Sequence, residues 1–159
     1  MTHITISISK QQLSVIRDEQ LVKSYPISTA LNGPGEQKNS GCTPTGLHYI
    51  RAKIGAGQPV NSVFVGRRFT GEIYSAELAK KYPKRDWILS RILWLSGKEI
   101  GVNRLGNVDT MQRYIYIHGT PDTEPMGKAL SHGCVRMRNQ DVIELFDSVE
   151  YGTTVTIHI

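Results

Sequence analysis

Residues 114–139 read YIYIHGTPDTEPMGKALSHGCVRMRN and hold two of the chain's five histidines and one of its two cysteines. The opening YIYIH alternates, so Tyr114, Tyr116 and His118 are expected on one face of a strand, with Ile115 and Ile117 on the other. A loop over 119–130 follows, with Pro121, Pro125 and Gly127 mixing stiff and permissive points that suit a fixed rim or a lid. The stretch ends in SHGCVRM, where Gly133 permits a tight turn beside the Cys134 thiol. Directly after it, NQDVIELFDSV places Val142, Leu145, Phe146 and Val149 at i, i+3, i+4 and i+7, the stripe of an amphipathic helix. Asn139 is positioned to cap that helix, and Asp141 suits its first turn.

Outward from this stretch, strand patterns dominate. HITISIS, QLSVIR and LVKSYPIS alternate over short breaks at Lys10-Gln11 and Asp18-Glu19, which reads as successive hairpins. ALNGPGEQKNSGCTPTG is a long loop, and a loop of more than about 12 residues in a compact domain is usually functional. LHYIRAKI, VFVGRRF, WILSRILWL, RYIYIH and the closing TTVTIHI are further strands. In the last of these, Thr153, Val155, Ile157 and Ile159 share a face. SAELAKKY reads as a short helix stopped by Pro83. The expectation is a mainly β fold, a sandwich or barrel of about eight strands with one main amphipathic helix and short helical decoration.

At 159 residues without repeats or linker-like tracts, the chain reads as one domain, 1–159. The formal charge of +5 favours anionic partners. However, the basic residues occur only as short pairs, such as Arg67-Arg68 and Lys84-Arg85, which excludes a nucleic-acid motif. No apolar run of about 18 residues is present for membrane insertion. The N-terminus alternates as a strand and lacks the pattern of a secretory signal, so with Met1 as native start the expected location is the cytoplasm. Cys42 and Cys134 are then expected to be reduced.

Three chemistries compete for Cys134. As a zinc ligand it would need partners among His118, His132 and Cys42, but neither C-x2-C nor H-E-x-x-H spacing is present, so no metal is assigned. As a small buried hydrophobe it would need no special neighbours. As a nucleophile it would need backbone N–H donors, a base and a field favouring thiolate. Ser131, His132 and Gly133, with a helix start nearby and a strand-end histidine at position 118, supply such groups.

His118-Gly119 followed by Ser131-His132-Gly133-Cys134-Val135-Arg136-Met137 resembles the signature of the L,D-transpeptidase (YkuD) catalytic domain. KQQLSVIRDEQLVKSYPIST and CTPTGLHYI are similar to its first hairpins and its TPTG-plus-strand element. The resemblance implies a β-sandwich-like domain acting on peptidoglycan stem peptides, without a cofactor. Cys134 would be the nucleophile and His118 the base, oriented by the Gly119 carbonyl. Backbone N–H groups of His132, Gly133 and Cys134 would receive the oxyanion, while Arg136, Ser131 and Tyr116 would contact substrate. The gap from His118 to Ser131 is shorter than in several family members. Arg136 stands where the family often has Asn, as in a branch with a C-[IV]-R motif.

The implied chemistry is attack on the bond between the third stem residue and a terminal D-Ala. With water as acceptor this is L,D-carboxypeptidase action on tetrapeptide stems or soluble muropeptides, the expectation for a cytoplasmic enzyme of cell-wall recycling. With an amine acceptor it is 3,3 crosslinking in the periplasm. A silent peptidoglycan-binding module is the further alternative. Carbapenem β-lactams are the expected covalent inhibitors.

Overall fold

The computed structural model describes residues 1–159. Strands β1 (Thr2–Ser7), β2 (Gln12–Arg17) and β3 (Gln20–Pro26) form the expected antiparallel hairpins. Asp18 and Glu19, between the last two, both take positive φ (51° and 68°), the pair of values a tight two-residue hairpin requires. The chain continues through β4 (Gly46–Ile54), β5 (Ser62–Val65), β6 (Arg68–Ile73), α1 (Ala76–Lys81) and β7 (Ile88–Gly97). It closes with β8 (Tyr116–Thr120), β9 (Val135–Arg138), α2 (Asn139–Ser148) and β10 (Thr154–His158).

All ten strands belong to one hydrogen-bonded sheet, β3-β2-β1-β10-β4-β7-β5-β6, with β8 and β9 branching from β7. The fold is mainly β with one main helix, and its sheet curls into a half-barrel. β7 is the hub. One edge takes β4 and β5, and the opposite edge takes β8, which pairs in parallel with β9. Inside the curl, Ile4, Ile6, Leu13, Val15, Ile50, Leu93 and Ile157 meet Val142, Leu145 and Phe146 of α2. Each such side chain contributes about 1.5–3 kcal/mol on burial, so the helix stripe closes the core.

Four details differ from the sequence reading. VFVGRRF is two strands, because Gly66 and Arg67 turn the chain with positive φ (56° and 65°). In RYIYIH the strand begins only at Tyr116; Tyr114 has φ 56° and is exposed, so it leaves the shared face. SHGCVRM contains a strand, β9, too short to announce itself by alternation. Asn139 does not cap α2, since Arg138 holds the cap position without a side-chain bond. The Asn139 amide points inward: Ser90 Oγ donates to its Oδ1 (2.6 Å), and its Nδ2 donates to the Thr120 carbonyl (2.9 Å).

Candidate active site

The parallel register sets the site. Ile117 pairs with Val135 and His118 with Arg136. Paired residues in adjacent strands project to the same side, and alternate residues return to it. Ile115, Ile117, Val135 and Met137 therefore face the main core, while Tyr116, His118, Cys134 and Arg136 share the opposite face. Strand spacing and rise place Cys134 and His118 about 8 Å apart at Cα. No hydrogen bond joins their side chains. His118 Nδ1 lies 2.7 Å from the Gly119 carbonyl. That oxygen only accepts, so Nδ1 carries the proton and Nε2 keeps its lone pair.

Gly119 has no room for more. A Cβ there would lie 2.5 Å from both Asn139 Oδ1 and the Leu89 carbonyl oxygen. The same Asn139 holds the Thr120 carbonyl, so the chain just after the imidazole, which stands in the middle of β8, is fixed by Leu89 and Asn139.

The cysteine turn is held from below by the segment after β3. Ser28 and Arg136 exchange two backbone hydrogen bonds (3.0 and 2.9 Å), and Ser131 N–H donates to the Thr29 carbonyl (2.9 Å). Ser131 Oγ accepts from Gly133 N–H (3.3 Å) and donates to the Cys134 carbonyl (2.6 Å). Thr43, fully buried, accepts from Ala30 N–H (3.0 Å) and donates to the Gly133 carbonyl (2.9 Å). A trans peptide points its C=O and N–H in opposite directions. Holding the Gly133 carbonyl at Thr43 therefore aims the Cys134 N–H away from it. Gly133 itself has φ 134°, which a side chain rarely adopts. Of the three expected oxyanion donors, Gly133 N–H is engaged by Ser131, while those of His132 and Cys134 make no hydrogen bond to the protein.

Cys134 Sγ accepts from Tyr116 N–H (3.3 Å) and points its thiol at the Tyr114 carbonyl (3.4 Å). It packs against Phe64, Ile92 and Tyr116. Burial pushes the thiol up to about 12, aided by Asp86 and opposed by Tyr116 N–H, Arg136 and Arg113. This reverses the expected thiolate-favouring field. The four residues of β9 stand between Cys134 and α2, so the helix end lies too far along the chain to act on the sulfur. Burial also pushes the His118 imidazole down. Burial thus favours the neutral form of both groups.

Two cavities meet at the exposed His132. One, of about 440 Å³, is lined by Lys38, Gln112, Arg113, Tyr114, Ile115 and His132. The other, of about 220 Å³, is lined among others by Asp86, Thr120, Glu124, His132 and Arg136. The Arg136 guanidinium, buried, reaches Asp86 Oδ1 (3.3 Å). Tyr116 is buried, with its hydroxyl accepting from Arg67 Nη1 (3.0 Å) and its N–H donating to the thiol sulfur. The loop 119–130 is tied down where Gly127 N–H meets the Ile27 carbonyl (2.8 Å) and Leu130 N–H meets Ser28 Oγ (3.1 Å). Cys42 Sγ is directed at the Asn32 carbonyl (3.5 Å).

A family model described as the L,D-transpeptidase catalytic domain (YkuD) matches residues 1–157. The chain belongs to that family. The YkuD protein of Bacillus subtilis (strain 168), a candidate L,D-transpeptidase by name, is 30% identical over 156 residues, covering 98% of this chain and 65% of its own length. An L,D-transpeptidase from Mycobacterium smegmatis superposes with a TM-score of 0.59 at 17% identity, over 99% of this chain and 58% of that one. L,D-transpeptidase 3 from Mycobacterium tuberculosis, solved with a faropenem-derived adduct, gives 0.60 at 17% identity, over 99% and 60%. At those identities the structural likeness is one of fold. The chain spans just under two thirds of the Bacillus relative and about three fifths of the two solved chains.

Within this L,D-transpeptidase domain, three residues near the site escaped the sequence reading. Thr43 lies in the quoted TPTG element, yet its partner is 90 positions away. Arg113 holds the long loop through the carbonyls of Gly35 (3.2 Å) and Cys42 (2.6 Å). Asp86 sits just past the short helix, and nothing local marks it as a partner of Arg136.

Proposed function

We propose that this L,D-transpeptidase-family chain is a cysteine acyl-enzyme that removes the terminal D-Ala from peptidoglycan tetrapeptide stems. The observation that carries the reading is the placement of Cys134 on the face of His118 whose Nδ1 is fixed at Gly119, leaving Nε2 as the free base. Cys134 Sγ attacks the carbonyl of the third stem residue, and its proton passes to His118 Nε2. The oxyanion is received by the free N–H groups of His132 and Cys134. The C–N bond breaks, His118 returns the proton to the departing D-Ala amine, and a thioester remains. Water then attacks as His118 takes its proton, the C–S bond breaks, and the thiol is restored.

The acceptor we propose is water and the compartment the cytoplasm, with soluble muropeptides as the substrates. A second reading is 3,3 crosslinking in the periplasm, for which the two cavities that share His132, two positions before Cys134, would give donor and acceptor separate places. An L,D-transpeptidase neighbour has been solved in complex with imipenem, and we extend carbapenem acylation to Cys134.

Incubation with a soluble tetrapeptide, with and without an amine acceptor, separates the readings. D-Ala release without amine supports hydrolysis, whereas release only with amine makes the chain a transpeptidase. A Cys134→Ala variant that still releases D-Ala, or that still gains mass from a carbapenem, removes the nucleophile from the mechanism. Failure of the unaltered chain in both assays would leave a binding module.

A further inference from the structure

The smaller cavity, lined by His132 and Arg136, contains a carboxylate already seated on the cation proposed to bind substrate. Arg136 is paired with His118 across β8 and β9, which puts its guanidinium on the dyad's face. That side chain is only 10% exposed, and a buried cation without a partner is costly. Its ion-pair partner is Asp86 (3.3 Å), whose own side chain is 49% exposed. The second Asp86 oxygen lies 3.7 Å from His132 Nδ1, at the junction of the two cavities. Asp86 is not part of the β8–β9 scaffold. It stands in the connection between α1 and β7, next to Arg85, which is anchored to Glu72 (2.8 Å) and stacked on Tyr82 and Trp87. The carboxylate therefore reaches into the site from a neighbouring unit, and its exposed half can return to water at little cost.

We propose that Asp86 is a specificity-determining residue: it neutralises Arg136 in the empty site, and a ligand carboxylate engages Arg136 by displacing it. The proposal rests on the reading of Cys134 as the acylated residue. A preference for acids at this site would then reflect an exchange of one carboxylate for another on a buried guanidinium. Binding is weaker than Arg136 alone would give, but Arg136 is never left unpaired. Ligands that lack a carboxylate leave the Arg136–Asp86 pair in place and gain nothing from it.

The test compares iodoacetate with iodoacetamide at Cys134, in a Cys42→Ser background, with and without Asp86→Asn. The two reagents differ in charge, so their rate ratio reports the local preference for an anion and cancels changes in thiol ionisation. Asn keeps the volume and an oxygen acceptor for Arg136. Removing a negative charge that acts on the Cys134 thiol raises the ratio roughly three- to tenfold at low salt, and added salt shrinks the effect. In parallel, Asp86→Asn lowers KM for a stem peptide ending in a free carboxylate and leaves KM for its C-terminal amide unchanged. A ratio that moves by less than about twofold overturns the proposal. A raised ratio in a protein that releases no D-Ala keeps Asp86 in this role and defeats the hydrolytic reading instead; a flat ratio with D-Ala release does the reverse.

Discussion

Replacing Thr43 by Val removes one hydroxyl and keeps the side chain's shape, so it isolates the link between the TPTG turn and the cysteine turn. Two buried backbone groups lose their partner, the Ala30 N–H (3.0 Å) and the Gly133 carbonyl (2.9 Å). Each unsatisfied group costs about 1–3 kcal/mol, so the variant is expected to lose roughly 2–6 kcal/mol. That is a large share of the about 5–15 kcal/mol that stabilises a domain. Thr43→Ser keeps the hydroxyl and serves as the comparison. Function responds separately from stability. With the Gly133 carbonyl released, the 133–134 peptide is free to rotate and the Cys134 N–H no longer has a fixed aim. Deleting an oxyanion donor costs about 10²–10³ in kcat, so loosening one is expected to slow acylation about ten- to a hundredfold. Urea unfolding gives the stability. Carbapenem acylation followed by mass spectrometry, at a temperature where the variant is folded, gives the rate. A folded Thr43→Val protein that acylates within twofold of the parent refutes the idea that Thr43 aims the donor.

Two pH profiles test the electrostatics. With its thiol pushed up to about 12 by burial, Cys134 is expected to react with iodoacetamide about tenfold faster per pH unit from 7 to 9, without a plateau. A plateau below pH 9 would mark a thiolate–imidazolium pair and contradict the neutral resting state. His48 is buried between the Gly46 carbonyl (3.0 Å at Nδ1) and Thr110 Oγ1 (2.9 Å at Nε2), and burial pushes it down to about 4. A neutral folded imidazole stabilises fully above the unfolded value of about 6.5, and this contribution disappears as pH falls through about 4. The slope is about 1.4 kcal/mol per pH unit and the total about 3 kcal/mol. Subtracting the stability profile of His48→Gln from that of the parent should recover this change; parallel profiles would show that His48 does not titrate as argued.

Much of the architecture was legible because its causes are local. Ile4 and Ile6 alternate with polar residues and become core; Val142, Leu145 and Phe146 recur at helical spacing and pack under the sheet. Where local rules misled, a distant contact had overruled them. Asn139 looked like a cap, but Ser90 and Thr120 claim its amide. Tyr116 shared the histidine's face as expected, yet Arg67, from a hairpin read as straight strand, takes its hydroxyl. Asp86 carried no pattern at all.

The sequence by itself determined the family, the β-rich class and the single main helix, because alternation, helical spacing and SHGCVRM are properties of neighbouring residues. Only the tertiary structure decided the parallel register of β8 and β9, which brings Cys134 and His118 to one face. It also decided the electrostatics. The helix end that seemed to promise a thiolate is separated from Cys134 by a four-residue strand, and burial against Phe64, Ile92 and Tyr116 holds the proton on the sulfur. Desolvation is set by what the whole fold packs around an atom, and neighbours in sequence do not encode it.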